Sequence, residues 1–198
     1  MIDFWNDRYG AEEFAYGTLP NDFFKVELSK LEPGSILLPA EGEGRNAIYA
    51  AKNGFNVSAF DISIRGQKKA LHLAKSQKVE IDYSIARLQD FDFGKEKFDA
   101  ISFIYVHMES DTRTYVHTKA VNALKPRGRI ILEAFNKNQL GNESGGPKDI
   151  DWLFSKNQIK DDFKDLKIEI LEETQTTLAE GPYHSGEADV IRFVGVKA

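Results

Sequence analysis

The residues able to move a proton near neutral pH are few. The chain of 198 residues has four histidines and no cysteine. Thiol redox, disulfides and thiolate metal sites are therefore excluded, and acid–base work falls to imidazole or to a shifted carboxylate. His107 ends the run FIYVHM and His184 sits in GPYHSG, while His72 and His117 fall inside helix-like stretches where surface or packing roles are expected. Three acids stand out. Glu41 and Glu43 flank Gly42 in PAEGEG, and Asp61 ends the apolar run VSAFD 19 residues after Gly42. That distance is close to the one at which an acid accepts hydrogen bonds from ribose hydroxyls, next to a turn whose glycines admit a ligand to the backbone. The other reading of Asp61 is a cap on the following helix, a role for which Ser63 competes. No acid pair or triad has an obvious catalytic spacing, and no metal-ligating cluster is expected.

These side chains need elements to hold them. Strand-like runs cover 35–38, 56–60, 81–85, 98–103, 128–135, 167–177 and 189–197, and helix-like runs cover 45–53, 64–78, 111–124 and 149–163, with Asp111 and Asp149 as caps. Strands alternating with helices predict parallel crossovers. The expected fold is α/β, a doubly wound Rossmann-like sheet of seven mostly parallel strands with an antiparallel last strand and helices on both faces. One domain over 1–198 is expected, with 1–34 as a cap or lid, 35–198 as the core, and 141–148 (GNESGGPK) as the main flexible loop. In such sheets ligands sit beyond the carboxyl ends of the strands, where Gly42, Gly44 and Asp61 fall.

Which nucleotide the turn would hold follows from charge. A pyrophosphate needs bare N–H groups, and Glu41 and Glu43 repel it. They suit a positively charged nucleoside, so the reading moves from NAD to S-adenosyl-L-methionine, with its sulfonium and ammonium groups.

The motifs, taken in order, resemble the class I S-adenosylmethionine-dependent methyltransferases, and among them the tellurite-resistance-type and thiopurine S-methyltransferase-like branch. The stretches that carry the likeness are LLPAEGEGRNAIYAAKNGFNVSAFDIS, FDAISF, LKPRGRIILEAF, GGPK and EGPYHSGEADVIRF. Pro39 then reads as a feature of the branch. The resemblance implies that Ala40, Glu41, Gly42 and Gly44 pass under the methionine part and that Asp61 holds the ribose. It also implies that Ile62 packs on the adenine and that Leu88 and Gln89 meet its edge. Many relatives have Asp where this chain has Arg87, and Asp90 is the substitute. The amino-terminal FWNDRYGAEEFAYGTLPND resembles the branch's cap, which implies Trp5, Tyr9 and Tyr16 over the cofactor and Arg8 at its carboxylate. His107 is the leading base by position, the alternative being a histidine that fixes its loop by hydrogen bonds; His184 is second. The branch's thiopurine enzymes carry Trp-Asp-Arg where this chain reads Ser102-Phe103-Ile104, so thiopurine itself is not the expected acceptor.

Composition limits the partners. The formal net charge of -5 opposes general binding to nucleic acid, which depends on clustered cations. No apolar run approaches the roughly 20 residues that span a bilayer, and MIDFWNDRYG lacks the basic and apolar regions of a signal peptide. A cytoplasmic location is expected, with neither membrane nor nucleic acid as partner. The expected partner is a small-molecule methyl acceptor, a soft nucleophile such as a thiol or a tellurium or selenium oxyanion. The alternatives are a small-molecule O- or N-methyltransferase, a non-catalytic S-adenosylmethionine-binding protein, and a nicotinamide-dependent reductase.

Overall fold

In the computed structural model, which describes residues 1–198, seven runs rich in β-branched and aromatic residues form one sheet. The strands are β1 (Ser35–Pro39), β2 (Asn56–Asp61), β3 (Asp82–Ile85), β4 (Phe98–Ile104), β5 (Leu124–Phe135), β6 (Leu166–Ala179) and β7 (Ser185–Lys197), in the order β3-β2-β1-β4-β5-β7-β6. The first five pair in parallel, and β7 runs antiparallel to both β5 and β6. The direction of winding reverses between β1 and β4, so a crevice opens beyond the tips of those two strands.

Helices cover both faces. They are α1 (Ile2–Arg8), α2 (Asp22–Leu28), α3 (Arg45–Lys52), α4 (Ile64–Ser76), α5 (Ser110–Ala123) and α6 (Lys156–Asp162). Alternation along β1 sends Leu37 into a core with Phe103, Val116 of α5 and Ile159 of α6. Ile36 and Leu38 point the other way, into a core with Phe24 of α2, Ala47 of α3 and Ala70 of α4. A strand buried on both faces has no polar side, which is why β1 reads as an unbroken apolar run.

Several boundaries differ from the sequence expectation. The single helix expected over 149–163 is two elements: a 3₁₀ turn, Ile150–Trp152, and then α6. The break lies at Phe154, whose N–H donates to Phe135 O and whose carbonyl accepts from Lys137 N, an isolated parallel bridge to Asn136 just past β5 in place of a helix. Ser155 and Gln158 then restart the helix as a capping box. Asp149 caps the 3₁₀ turn through Asp151 N, whereas Asp111 lies inside the first turn of α5, which has Glu109 at its N-cap and no side-chain cap. Strand β5 starts at Leu124 because Leu124 already pairs with Phe98. The cap contains two short helices, α1 and α2, the second capped by Asn21.

Candidate active site

Beyond the tips of β1 and β4 lies a cavity of about 1230 Å³, lined by the cap, by the loops after β1 to β5 and by the β6–β7 connection. Its floor is the turn after β1. Gly42 has φ +62° and Gly44 φ +90°, a region that disfavours side chains. Both glycines were expected to make room for a ligand, but their neighbours are protein. A Cβ on Gly44 would sit 2.7 Å from Ala70 Cβ and Ile48 Cδ1, so this glycine serves the packing of α3 on α4 and does not line the cavity. A Cβ on Gly42 would lie 2.6 Å from Tyr9 Oη. Gly42 lines the cavity, and Tyr83 Oη donates to its carbonyl at 2.6 Å.

Asp61 stands at the tip of β2 with 5 % of its surface exposed. Its Oδ2 accepts from Gly42 N at 3.0 Å and its Oδ1 from Ser63 N at 2.8 Å. The cap on α4 is Ser63, whose hydroxyl accepts from Gly66 N, so Asp61 is left to the crevice. Burial pushes its carboxyl up to about 6, against the backbone N–H groups of Ser63, Gly42 and Ile62 that favour the charged form. Each oxygen can accept a further bond. A vicinal diol supplies two donors, so the site fits a ribose. Ile62, Leu88, Gln89 and Arg87 line the adjoining wall, while Asp90 is exposed and outside it.

Glu41 and Glu43 are not a pair of free carboxylates. Glu41 Oε1 accepts from Asn46 N at 2.9 Å and Ala47 N at 2.7 Å, closing the first turn of α3, and burial pushes its carboxyl up to about 7. Glu43 Oε2 accepts from Ala15 N at 2.7 Å and its Oε1 lies 2.5 Å from Lys69 Nζ, fastening the cap to α4. Charge at this turn therefore discriminates less against a pyrophosphate than the bare sequence implies. Ala40 also lines the cavity, with φ +49°.

The cap covers the cavity with aromatic rings. Trp5 stacks on the buried Tyr9 at 5.4 Å, and Tyr9 meets Tyr16 edge-on at 6.4 Å. Arg8 Nη1 donates to Tyr16 Oη at 3.0 Å, and its guanidinium lies 3.7 Å from the centroid of Tyr183. Trp5, Arg8 and Tyr16 all line the cavity. The loop expected to be flexible, 141–148, is pinned beside them, with Gln139 Nε2 donating to Ser144 Oγ and to Gly145 O.

The two histidine candidates have opposite surroundings. His107 Nδ1 is 2.8 Å from Trp152 O and can only donate to that carbonyl, while Nε2 accepts from Phe135 N at 3.2 Å. Both ring nitrogens are spent on backbone. Burial pulls its pKa down to about 4, so it is neutral, and it has no lone pair left for a substrate proton. His107 is thus the loop-fixing histidine of the second reading. His184 is different: Nδ1 lies 3.1 Å from Glu180 Oε2, and Nε2 makes no hydrogen bond on the cavity wall. Hydrogen bonds and charge from His184 and Arg45 hold the Glu180 carboxyl at about 2 despite burial. An ionised carboxylate only accepts, so Nδ1 carries the proton and Nε2 the lone pair. Burial lowers the His184 pKa, opposed by Glu180. His72 is exposed on α4 and His117 is buried on α5 against Asp162, as expected of packing or surface residues.

Four residues of this site were not identified from sequence. Glu180 orients His184; Arg45 Nη2 reaches Glu180 Oε2 at 2.9 Å. Glu133, buried in β5, accepts from Asn21 Nδ2 at 2.6 Å, Tyr105 Oη at 3.0 Å and Arg192 Nε at 2.6 Å. Tyr105, held at φ +55°, sets its ring 4.6 Å from His184. Two signals were present in the sequence: a lone acid inside the apolar run IILEAF, and a Glu four residues before a His in EGPYH.

Residues 36–128 match the methyltransferase-domain family. No curated protein sequence matches the chain. Among solved structures, the chain is similar to a protein from work on the conversion of a disulfide bond into a thioacetal group during echinomycin biosynthesis, with TM-score 0.77, 17% identity, and coverage of 100% of this chain and 93% of that one. It is similar to TehB from Haemophilus influenzae, with TM-score 0.75, 14% identity, and coverage of 100% and 67%. It is also similar to magnesium protoporphyrin IX methyltransferase (ChlM) from Synechocystis PCC 6803 with bound SAH, with TM-score 0.71, 16% identity, and coverage of 100% and 98%. At these identities the likeness is one of fold, and the chain has the Rossmann-like methyltransferase fold. The expectation of a methyltransferase agrees with the family match.

Proposed function

We propose that the chain methylates a small molecule from S-adenosylmethionine, at a thiol or hydroxyl that keeps its proton until transfer, with His184 as the general base. The observation that carries this reading is the Glu180–His184 pair, with Nε2 unpartnered on the cavity wall. An anion that arrives already deprotonated needs no base; a protonated heteroatom does. This keeps the thiol of the soft-nucleophile expectation, joins to it the hydroxyl of the O-methyltransferase alternative, and moves the oxyanions of tellurium and selenium to second place. Their support is the motif likeness to the tellurite-resistance-type branch, together with Arg8, whose guanidinium at the cavity wall suits an anion.

Residues that would hold the cofactor are Asp61 at the ribose, the backbone of Ala40 to Gly42 beside the methionine part, and Ile62 with Leu88 against the base. When bound there, S-adenosylmethionine supplies a methyl group already activated by its sulfonium. The work left to the protein is alignment, exclusion of water and removal of one proton. Orientation of two reactants accounts for roughly 7 to 11 kcal/mol of a barrier. Tyr16, Tyr105 and Phe135 approach His184 at centroid distances of 4.5, 4.6 and 5.2 Å. Such rings exclude water and favour nearby positive charge. Nε2 takes the acceptor's proton, and Glu180 stabilises the imidazolium that results.

The test is calorimetric titration with S-adenosylhomocysteine and NAD, followed by labelled-methyl transfer to thiols, phenols, amines, tellurite and selenite. Thiol or hydroxyl acceptors should lose roughly 100-fold or more on His184→Asn. Transfer to tellurite that survives this substitution would favour the oxyanion reading, and binding without transfer to any acceptor would favour a cofactor-binding protein.

A further inference from the structure

Arg45 is the first residue of α3 and directly follows Gly44, yet its side chain, 9 % exposed, reaches away from the turn toward the β6–β7 connection. Nη2 donates to Glu180 Oε2 at 2.9 Å and Nη1 to Tyr16 O at 3.3 Å. The same Glu180 oxygen faces His184 Nδ1, and the other accepts from Asn21 Nδ2 at 3.1 Å. Glu180 is thus gripped from α3, from the cap and from its own hairpin. We propose that Arg45 is a positioning residue for His184, fixing Glu180 against the imidazole and joining that pair to the turn beneath the cofactor. This rests on reading His184 as the base.

The physical case is one of charge and shape. A planar guanidinium can hold a carboxylate oxygen and a backbone carbonyl in fixed directions at once, which an ammonium does less well. Its positive charge also acts on the imidazole. The groups that face His184 are Glu180 of its own hairpin, Arg45 of α3, Arg8 of α1, Tyr16 of the cap, and Tyr105 with His107 beyond β4. Burial lowers the His184 pKa most, Glu180 raises it, and Arg45 and Arg8 lower it further. Glu180 alone would favour the imidazolium and occupy the lone pair that a base needs. Burial is the main reason that His184 stays neutral; Arg45, by sharing the charge of Glu180, adds to that effect while Glu180 orients the ring and leaves Nε2 free.

The test needs no acceptor. The four imidazoles of the full chain are titrated by NMR with labelled histidine and saturating S-adenosylhomocysteine, and His184 is assigned by its loss in His184→Asn. Arg45→Met should move the His184 titration to higher pH, Glu180→Gln should move it to lower pH, and Arg45→Lys should restore the wild-type midpoint with a weaker preference for the Nδ1–H tautomer. An unmoved midpoint in Arg45→Met or in Glu180→Gln overturns the proposal. If Arg45→Met does not fold, Arg45→Lys decides by its tautomer: an Nδ1–H preference unchanged from wild type overturns the proposal. Failure of the wild type to bind S-adenosylhomocysteine or to methylate any thiol or hydroxyl would instead sink the functional reading, whatever the titrations show.

Discussion

The N–H of Gly42 donates to Asp61 Oδ2 at 3.0 Å, tying the turn after β1 to the tip of β2. The glycine and the acid whose spacing suggests a nucleoside site are therefore one mechanical unit, and a change at either is felt at the other.

Asp61 should make cofactor binding depend on pH. Its folded carboxyl titrates at about 6, above the usual value for Asp. The folded protein without ligand therefore binds this proton more tightly than the unfolded chain does, and the group's contribution to stability falls as pH rises from near 4 to 6. Ribose hydroxyls donate to the ionised form, so affinity for S-adenosylhomocysteine should rise through pH 6 with release of a proton. Calorimetry in two buffers of different ionisation enthalpy measures that proton. Asp61→Ala should abolish the release and weaken binding by roughly 1.5 to 3 kcal/mol; unchanged affinity in a folded variant would remove Asp61 from the site.

Gly42→Ala should loosen the cap. The new methyl would meet Tyr9 Oη at 2.6 Å and sit at positive φ, a strain of about 1 to 3 kcal/mol. Thermal unfolding should show the loss, and Tyr9→Phe in the same chain should recover part of it by removing the oxygen. No recovery would mean that backbone strain alone is at issue.

His107→Ala should cost stability and spare affinity. It orphans Phe135 N–H and the Trp152 carbonyl, at about 1 to 3 kcal/mol for each group that stays buried. Because the folded pKa is depressed to about 4, the wild-type histidine stabilises the fold above its unfolded pKa and loses that contribution as pH falls from about 6.5 toward 4. Denaturant melts at pH 7 and pH 5 should therefore differ less in the variant. A loss of methyl transfer above about 100-fold at unchanged stability would return His107 to the role of base.

The cap should resist proteolysis better when ligand is bound. Helix α1 buries none of its own residues, and Trp5, Arg8 and Tyr16 meet the cavity, so a bound nucleoside would add contacts to the cap. Limited digestion with and without S-adenosylhomocysteine measures this; equal cleavage of residues 1–24 would make the cap a fixed element.

The sequence alone determined the seven strands and their order along the chain, the helices α3, α4 and α5, the antiparallel β7, the cavity turn around Gly42 and the place of Asp61. Each follows from local pattern: alternating apolar runs, a glycine turn, and an acid at the end of a strand. It placed Gly44 in the turn but not against Ala70, and it ranked His107 above His184. Those points depend on partners distant in the chain. Both ring nitrogens of His107 bond to the backbone of Trp152 and Phe135, and the Glu180 carboxylate beside His184 also accepts from Arg45, 135 residues away. Residue type and spacing encode what a side chain can do. Only the folded backbone decides which of its lone pairs are already taken, because hydrogen-bond partners are assigned by proximity in space, and here that proximity comes from the sheet order.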